Sequence, residues 1–198
     1  SLTITGDVGD QFGDSVIAVG DVTGDGVDDF AVSAPGANGG VGAFYIFSAT
    51  ATGTLTKADA VLTLEDDGAS DGQISAAGDL NNDGYADLVV GSPAYGGGGA
   101  AFVLPGPMTG LESVVGYATE VITGTSAETG QSVAGAGDVN ADGFDDLLVA
   151  SSTDVSLVFG PLSNPVNLDD AAATFTNGNY PVLTGTGDAY GDGWLDIA

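Results

Sequence analysis

Four nonapeptides place oxygen-bearing side chains at matching positions: Asp21-Val-Thr-Gly-Asp-Gly-Val-Asp-Asp29, Asp79-Leu-Asn-Asn-Asp-Gly-Tyr-Ala-Asp87, Asp138-Val-Asn-Ala-Asp-Gly-Phe-Asp-Asp146 and Asp188-Ala-Tyr-Gly-Asp-Gly-Trp-Leu-Asp196. Carboxylates stand at positions 1, 5 and 9, and glycine at 6 permits a sharp reversal. The residue at 7 can offer its carbonyl. A short loop of hard oxygen donors, with no nitrogen or sulfur among them, is the chemistry of Ca²⁺, which takes six to eight oxygens at flexible geometry. Mg²⁺ demands a stricter octahedron and is the second choice.

The expected ligands of the first loop are Asp21, Thr23, Asp25, the Val27 carbonyl and Asp29. Those of the second are Asp79, Asn81, Asp83, the Tyr85 carbonyl and Asp87. The third would use Asp138, Asn140, Asp142, the Phe144 carbonyl and Asp146. The fourth keeps Asp188, Asp192, the Trp194 carbonyl and Asp196, but Tyr190 replaces the short polar side chain at position 3, so a weaker site is expected. Position 12 is Val32, Val90 or Val149 where an EF-hand needs a bidentate Glu, so that motif fails. The bland alternative is a set of Asp-Gly hairpin turns with solvated aspartates. Repetition of the carboxylates at 1, 5 and 9 argues against it.

Composition narrows the remaining chemistry. The 198 residues carry 28 Asp and Glu against one cationic side chain, Lys57, for a net charge of −27, and His and Cys are absent. No Ser-His-Asp or Cys-His nucleophile is available, nor a zinc, haem or iron–sulfur site of the usual ligands. A chain with one basic residue cannot neutralise a phosphate backbone, so nucleic acid is excluded as a partner. No apolar run approaches the ~20 residues of a membrane-spanning helix, so membrane insertion is not expected. Apolar residues make up 43% and mean hydropathy is +0.24, values of a packed protein rather than an acidic disordered tail.

Something must position the loops, and the flanks repeat as the loops do. The leading aspartates Asp21, Asp79, Asp138 and Asp188 lie 58, 59 and 50 residues apart. Before each loop comes a run of small and β-branched residues (15–19, 73–77, 132–136 and 182–186). After it come apolar runs at 30–33, 88–90 and 147–150, then at 43–47, 101–104 and 155–159. A last run precedes the next cycle, at 2–5, 61–64, 119–122 and 173–175. Runs of this length bounded by Gly, Pro, Asn and Asp read as strands, and no helical periodicity of ten residues or more is present. The expected fold class is all-β: a β-propeller of four-stranded antiparallel blades, about 3.5 of them in this chain. The repeats run at about 1–60, 61–117 and 118–170, with a partial fourth at 171–198. A linear β-solenoid is the competing architecture. The chain opens on a fourth-type strand and stops inside its fourth cycle, so a longer polypeptide or another chain is expected to complete a ring.

These cycles resemble the FG-GAP repeats of integrin α-subunit β-propellers and their bacterial relatives. Phe12-Gly13 matches the FG element, and Ser33-Ala34-Pro35 and Ser92-Pro93-Ala94 resemble GAP. Later cycles depart, with Asp71-Gly72 and Thr129-Gly130 at FG and Ser151-Ser152 at GAP. The resemblance implies a seven-bladed ring with calcium in the hairpins between first and second strands. It also implies a protein or glycan ligand on the opposite face, near 36–40, 95–99, 152–154, 65–70, 124–128 and 176–179, with Tyr95 and Tyr180 as the nearest aromatics.

The function expected from these readings is a non-catalytic, calcium-binding extracellular module for adhesion or surface recognition. Extracellular calcium modules work at Kd of about 10⁻⁴–10⁻³ M, which points to secretion. One alternative is a structural repeat of a surface fibre or sheath. Another is a propeller-type polysaccharide-degrading enzyme using paired carboxylates. Fourteen of the 28 acids lie in the four loops, and the clusters Glu65-Asp66-Asp67 and Asp169-Asp170 fall in turns, which weakens the enzyme reading.

Overall fold

Strands form where apolar and β-branched runs lie between Gly, Pro and Asp turns, and they stay short because those turns recur every few residues. A computed structural model describes residues 1–66, 73–163 and 165–176, and the backbone of Gly185–Gly187 and Asp196–Ile197. The chain begins with β1 (Leu2–Thr5), β2 (Val16–Gly20), β3 (Asp29–Ala34), β4 (Ala43–Ser48), β5 (Gly53–Thr56) and β6 (Leu62–Glu65). The second cycle gives β7 (Gln73–Gly78), β8 (Asp87–Ser92), β9 (Ala100–Leu104), β10 (Gly110–Ser113) and β11 (Glu120–Thr123). The third gives β12 (Ser132–Gly137), β13 (Asp146–Ala150), β14 (Asp154–Val158), β15 (Val166–Asn167) and β16 (Ala173–Thr176), followed by the pair β17 (Gly185–Gly187) and β18 (Asp196–Ile197).

Three antiparallel meanders result: β2-β3-β4-β6, β7-β8-β9-β11 and β12-β13-β14-β16. They are successive blades of a partial β-propeller. Their innermost strands β2, β7 and β12 pack side by side, where small residues leave room for close approach. Apolar layers fill the space between blades. Phe44, Ile46, Leu62 and Leu64 of the first meet Leu88, Phe102 and Leu104 of the second. Val89, Val103 and Ile122 of the second meet Leu147 and Val149 of the third. The middle strands are covered on both faces, so β8, β9 and β13 read as nearly unbroken apolar runs rather than alternating ones. Each fully buried Phe or Leu contributes about 1.5–3 kcal/mol of burial free energy.

Three strands go beyond the expected four per cycle. β5 pairs parallel with β1, β10 with β6 and β15 with β11, so the segment after the third strand of one blade lies on the outer strand of the blade before it. This covers an edge that would otherwise present unpaired N–H and C=O groups. A short helical turn follows each added strand. In the second and third cycles its first residue, Val114 or Leu168, is a buried apolar plug in the layer between blades. The first cycle has Lys57 there, which pairs with Asp7 and Asp10.

Candidate metal centres

The loops are the β2–β3, β7–β8 and β12–β13 hairpins. Each inner strand ends in a bulge at a glycine of positive φ (Gly20, Gly78 and Gly137), which turns the following aspartate into the loop. Positions 4 and 6 also have positive φ: Gly24 and Gly26, Asn82 and Gly84, Ala141 and Gly143. That curvature aims successive N–H groups inward at the first carboxylate. Asp21 accepts from Gly24 at 2.7 Å, Asp25 at 3.1 Å and Gly26 at 2.8 Å. Asp79 accepts from Asp83 at 3.0 Å and Gly84 at 2.8 Å, and Asp138 from Asp142 at 3.0 Å and Gly143 at 2.9 Å. The fifth carboxylates, Asp25, Asp83 and Asp142, accept the N–H of Val27, Tyr85 and Phe144 at 2.8, 3.0 and 3.0 Å.

Position 3 separates the first loop from the other two. The amides of Asn81 and Asn140 donate to Asp83 and Asp142 at 2.9 and 2.8 Å. Thr23 instead donates its N–H and hydroxyl to Asp29 Oδ2, at 3.1 and 3.0 Å.

The ninth carboxylates open β3, β8 and β13 and are buried: Asp29 is 2% exposed, Asp87 1% and Asp146 0%. Asp87 accepts the N–H of Leu80 and of Gly106, each at 2.9 Å, and Asp146 accepts those of Val139 and Gly160, also at 2.9 Å. Asp29 Oδ1 is buried without a hydrogen-bond partner among the described residues. At the place of Gly106 the first blade has Ala49, whose N–H goes to the Asp28 carbonyl at 2.9 Å. Burial raises the pKa of all three carboxyls, Asp87 to about 6, and the hydrogen bonds they accept act in the opposite direction. The first and fifth carboxylates of the same loop push each of them up further. The ninth carboxylate of each loop therefore lies within electrostatic reach of the first and the fifth.

Among the described residues no three acidic side chains converge into a metal-holding group, and the first and fifth accept N–H groups of their own loop. The donor chemistry nonetheless fits a hard cation: oxygen donors only, repeated three times, with like charges opposing one another. In the fourth copy Asp188, Asp192 and Trp194 lie outside the described residues, and Asp196 is described only as the backbone start of β18. Gly106, Gly160 and Ala49 had no place in the sequence expectation. The one available signal was the Gly-Pro pair closing the third strand of the second and third cycles but not the first.

At the opposite end of the sheets, Tyr95 is partly exposed and its ring meets Phe102 edge-on at 4.9 Å. Tyr180 and residues 67–72 lie outside the described residues. A cavity of about 280 Å³ there is lined by Thr125, Ser126, Asp154, Asp169, Thr174 and Thr176. Hydroxyls of Thr153 and Thr176 hold the Asp154 carboxyl below its usual range.

The turn that begins the first blade is pinned to the β3–β4 connection. Phe12 packs on Tyr45 with centroids 5.7 Å apart, Gly13 N–H donates to Ser33 at 2.9 Å, and a Cβ on Gly36 would come 2.2 Å from the Gly9 carbonyl. A family model, the FG-GAP repeat, matches residues 12–47 and 72–104. This chain carries FG-GAP repeats. The two matched FG-GAP segments hold the first and second loops, and the third loop reproduces the second loop's hydrogen bonds to within 0.1 Å. The FG-GAP chain is similar to integrin alpha-PS5 of Drosophila melanogaster, 33% identical over 153 residues, which is 73% of this chain and 15% of that protein. It is also similar to integrin alpha pat-2 of Caenorhabditis briggsae, 31% identical over 174 residues (76% of this chain, 14% of the relative). Integrin alpha-3 of Cricetulus griseus is 36% identical over 117 residues, 56% of this chain and 11% of its own length. The FG-GAP chain thus spans about a seventh of the first two relatives. No helix among its described residues is long and apolar enough to cross a membrane.

Proposed function

We propose that this chain is a non-catalytic, calcium-binding propeller module that works outside the cell in adhesion or surface recognition. The observation that carries this reading is the threefold repetition of carboxylates 1, 5 and 9 in one hairpin of each described blade, with the charges of the first and fifth opposing ionisation of the ninth. A divalent cation relieves that repulsion. It would be held by Asp21, Thr23, Asp25, the Val27 carbonyl and Asp29, and by the corresponding residues of the second and third loops. The names of the relatives support the recognition role. The hydroxyl- and carboxylate-lined cavity near Asp154 supports a polar protein or glycan ligand on the face away from the loops. Repeats at about 1–60, 61–117, 118–170 and 171–198, in a ring completed by further blades, belong to the same proposal.

Because a cation binds the folded loops and not the unfolded chain, its affinity adds to stability. The test is bound metal per chain by elemental analysis, paired with thermal melts in calcium and in EGTA. Three or more calcium ions per chain and a melt lowered in EGTA are expected. No bound metal and identical melts at millimolar calcium would reduce the loops to Asp-Gly turns.

A further inference from the structure

Neighbouring hairpins meet at the eighth loop position, which contributes no ligand to the expected set. The Ala86 N–H donates to the Asp21 carbonyl at 3.2 Å, and the Asp145 N–H donates to the Asp79 carbonyl at 3.1 Å. Asp145 adds a second bond, since its Oδ2 accepts the Asp79 N–H at 2.7 Å. The main chain of Asp79 is thereby held through both its N–H and its C=O. The clasp leaves no room beneath it: a Cβ on Gly78 would lie 2.1 Å from Asp145 Oδ2. Position 8 reads Asp28, Ala86, Asp145 and Leu195 along the chain, and among the described residues the two-bond clasp on a preceding hairpin is made by the third loop.

We infer that Asp145 is a positioning residue for the cation loop of the preceding blade. It orients the Asp79 main chain so that the first carboxylate of the second loop is presented in one direction, and it links order in the third loop to affinity in the second. This rests on the cation-binding reading of the loops. The physical basis is preorganisation: a backbone already fixed costs no further ordering when the cation arrives.

The test is a calcium titration of the 198-residue chain followed by amide NMR, with one reporter per loop. Gly26, Gly84 and Gly143 serve, because each N–H donates to the first carboxylate of its own loop, at 2.8, 2.8 and 2.9 Å. In Asp145→Ala the Gly84 midpoint should rise roughly three- to tenfold, with Gly26 and Gly143 unmoved. Asp145→Asn keeps an oxygen for the Asp79 N–H and removes the charge, and it should restore the original midpoint. An unchanged Gly84 in Asp145→Ala overturns the inference. So does an Asn variant as weak as Ala, which would make the effect one of charge, and so does a common shift of all three glycines. If no amide of the unaltered chain responds to calcium, the cation reading falls first and the clasp falls with it.

Discussion

The Gly106 N–H donates to Oδ1 of Asp87 at 2.9 Å, tying the last position of the second loop to the turn that follows its blade's third strand. Gly160 and Asp146 repeat the bond at the same length, whereas Asp29 and Ala49 do not make it. The ninth aspartates of the second and third loops therefore brace the blade besides standing in the expected ligand set.

Removing that brace should be costly without any metal. In EGTA, Asp87→Ala leaves the N–H groups of Leu80 and Gly106 buried and unpaired, for a loss of about 2–4 kcal/mol. Asp83→Ala, at the exposed fifth position, should cost about 1 kcal/mol or less. Urea unfolding of the two variants checks the order, and equal losses would contradict it.

The same carboxyl sets a pH dependence. Burial and the nearby Asp83 and Asp79 charges push Asp87 up to about 6, above the usual carboxylate range, although two N–H groups favour its ionised form. A group raised on folding contributes stability below its unfolded pKa and loses it as pH rises through the folded value. In EGTA the advantage of the native chain over Asp87→Asn should shrink by on the order of 2 kcal/mol between pH 4 and 7. A gap that widens over this range would reverse the assignment.

Ala141 has φ of +60°, where Gly24 and Asn82 stand in the first two loops. A side chain there costs about 1–2 kcal/mol, and glycine's extra unfolded-state entropy returns about half of that. Ala141→Gly should stabilise the chain by about 0.5–1 kcal/mol, visible as a higher melting temperature. A lower one would mean that the alanine methyl packs favourably.

Lys57 donates to Asp10 and lies 2.7 Å from Asp7, and these contacts raise its pKa. It occupies the place where later blades insert Val114 and Leu168. Lys57→Met should cost about 1 kcal/mol at low salt and nearly nothing in 1 M salt, where screening already weakens the pair. Chemical denaturation at the two salt concentrations reads the difference, and a cost independent of salt would point to packing instead.

The strands of each meander were legible because their faces are covered by neighbouring blades, so burial is written as apolar runs such as Leu88–Val90 and Leu147–Ala150. The loops were legible from the spacing of Asp and Gly. The added strands β5, β10 and β15 were not, since Gly-Thr-Leu-Thr or Val-Asn carries no periodicity and their pairing depends on an edge supplied by another blade. Asp145 was equally silent. Position 8 varies from copy to copy, and its meaning arises only where two hairpins meet.

Those added strands also decide how the module carries mechanical load. Where a load runs along these strands, the bonds of a parallel pair are stressed in shear together instead of opening one by one. The junction of β10 with β6 has four residue pairs, and that of β15 with β11 has two. Of these two strand-to-strand welds the one between the second and third blades is the shorter, so under tension it should part before the weld between the first and second, read as the order of rupture in single-molecule stretching.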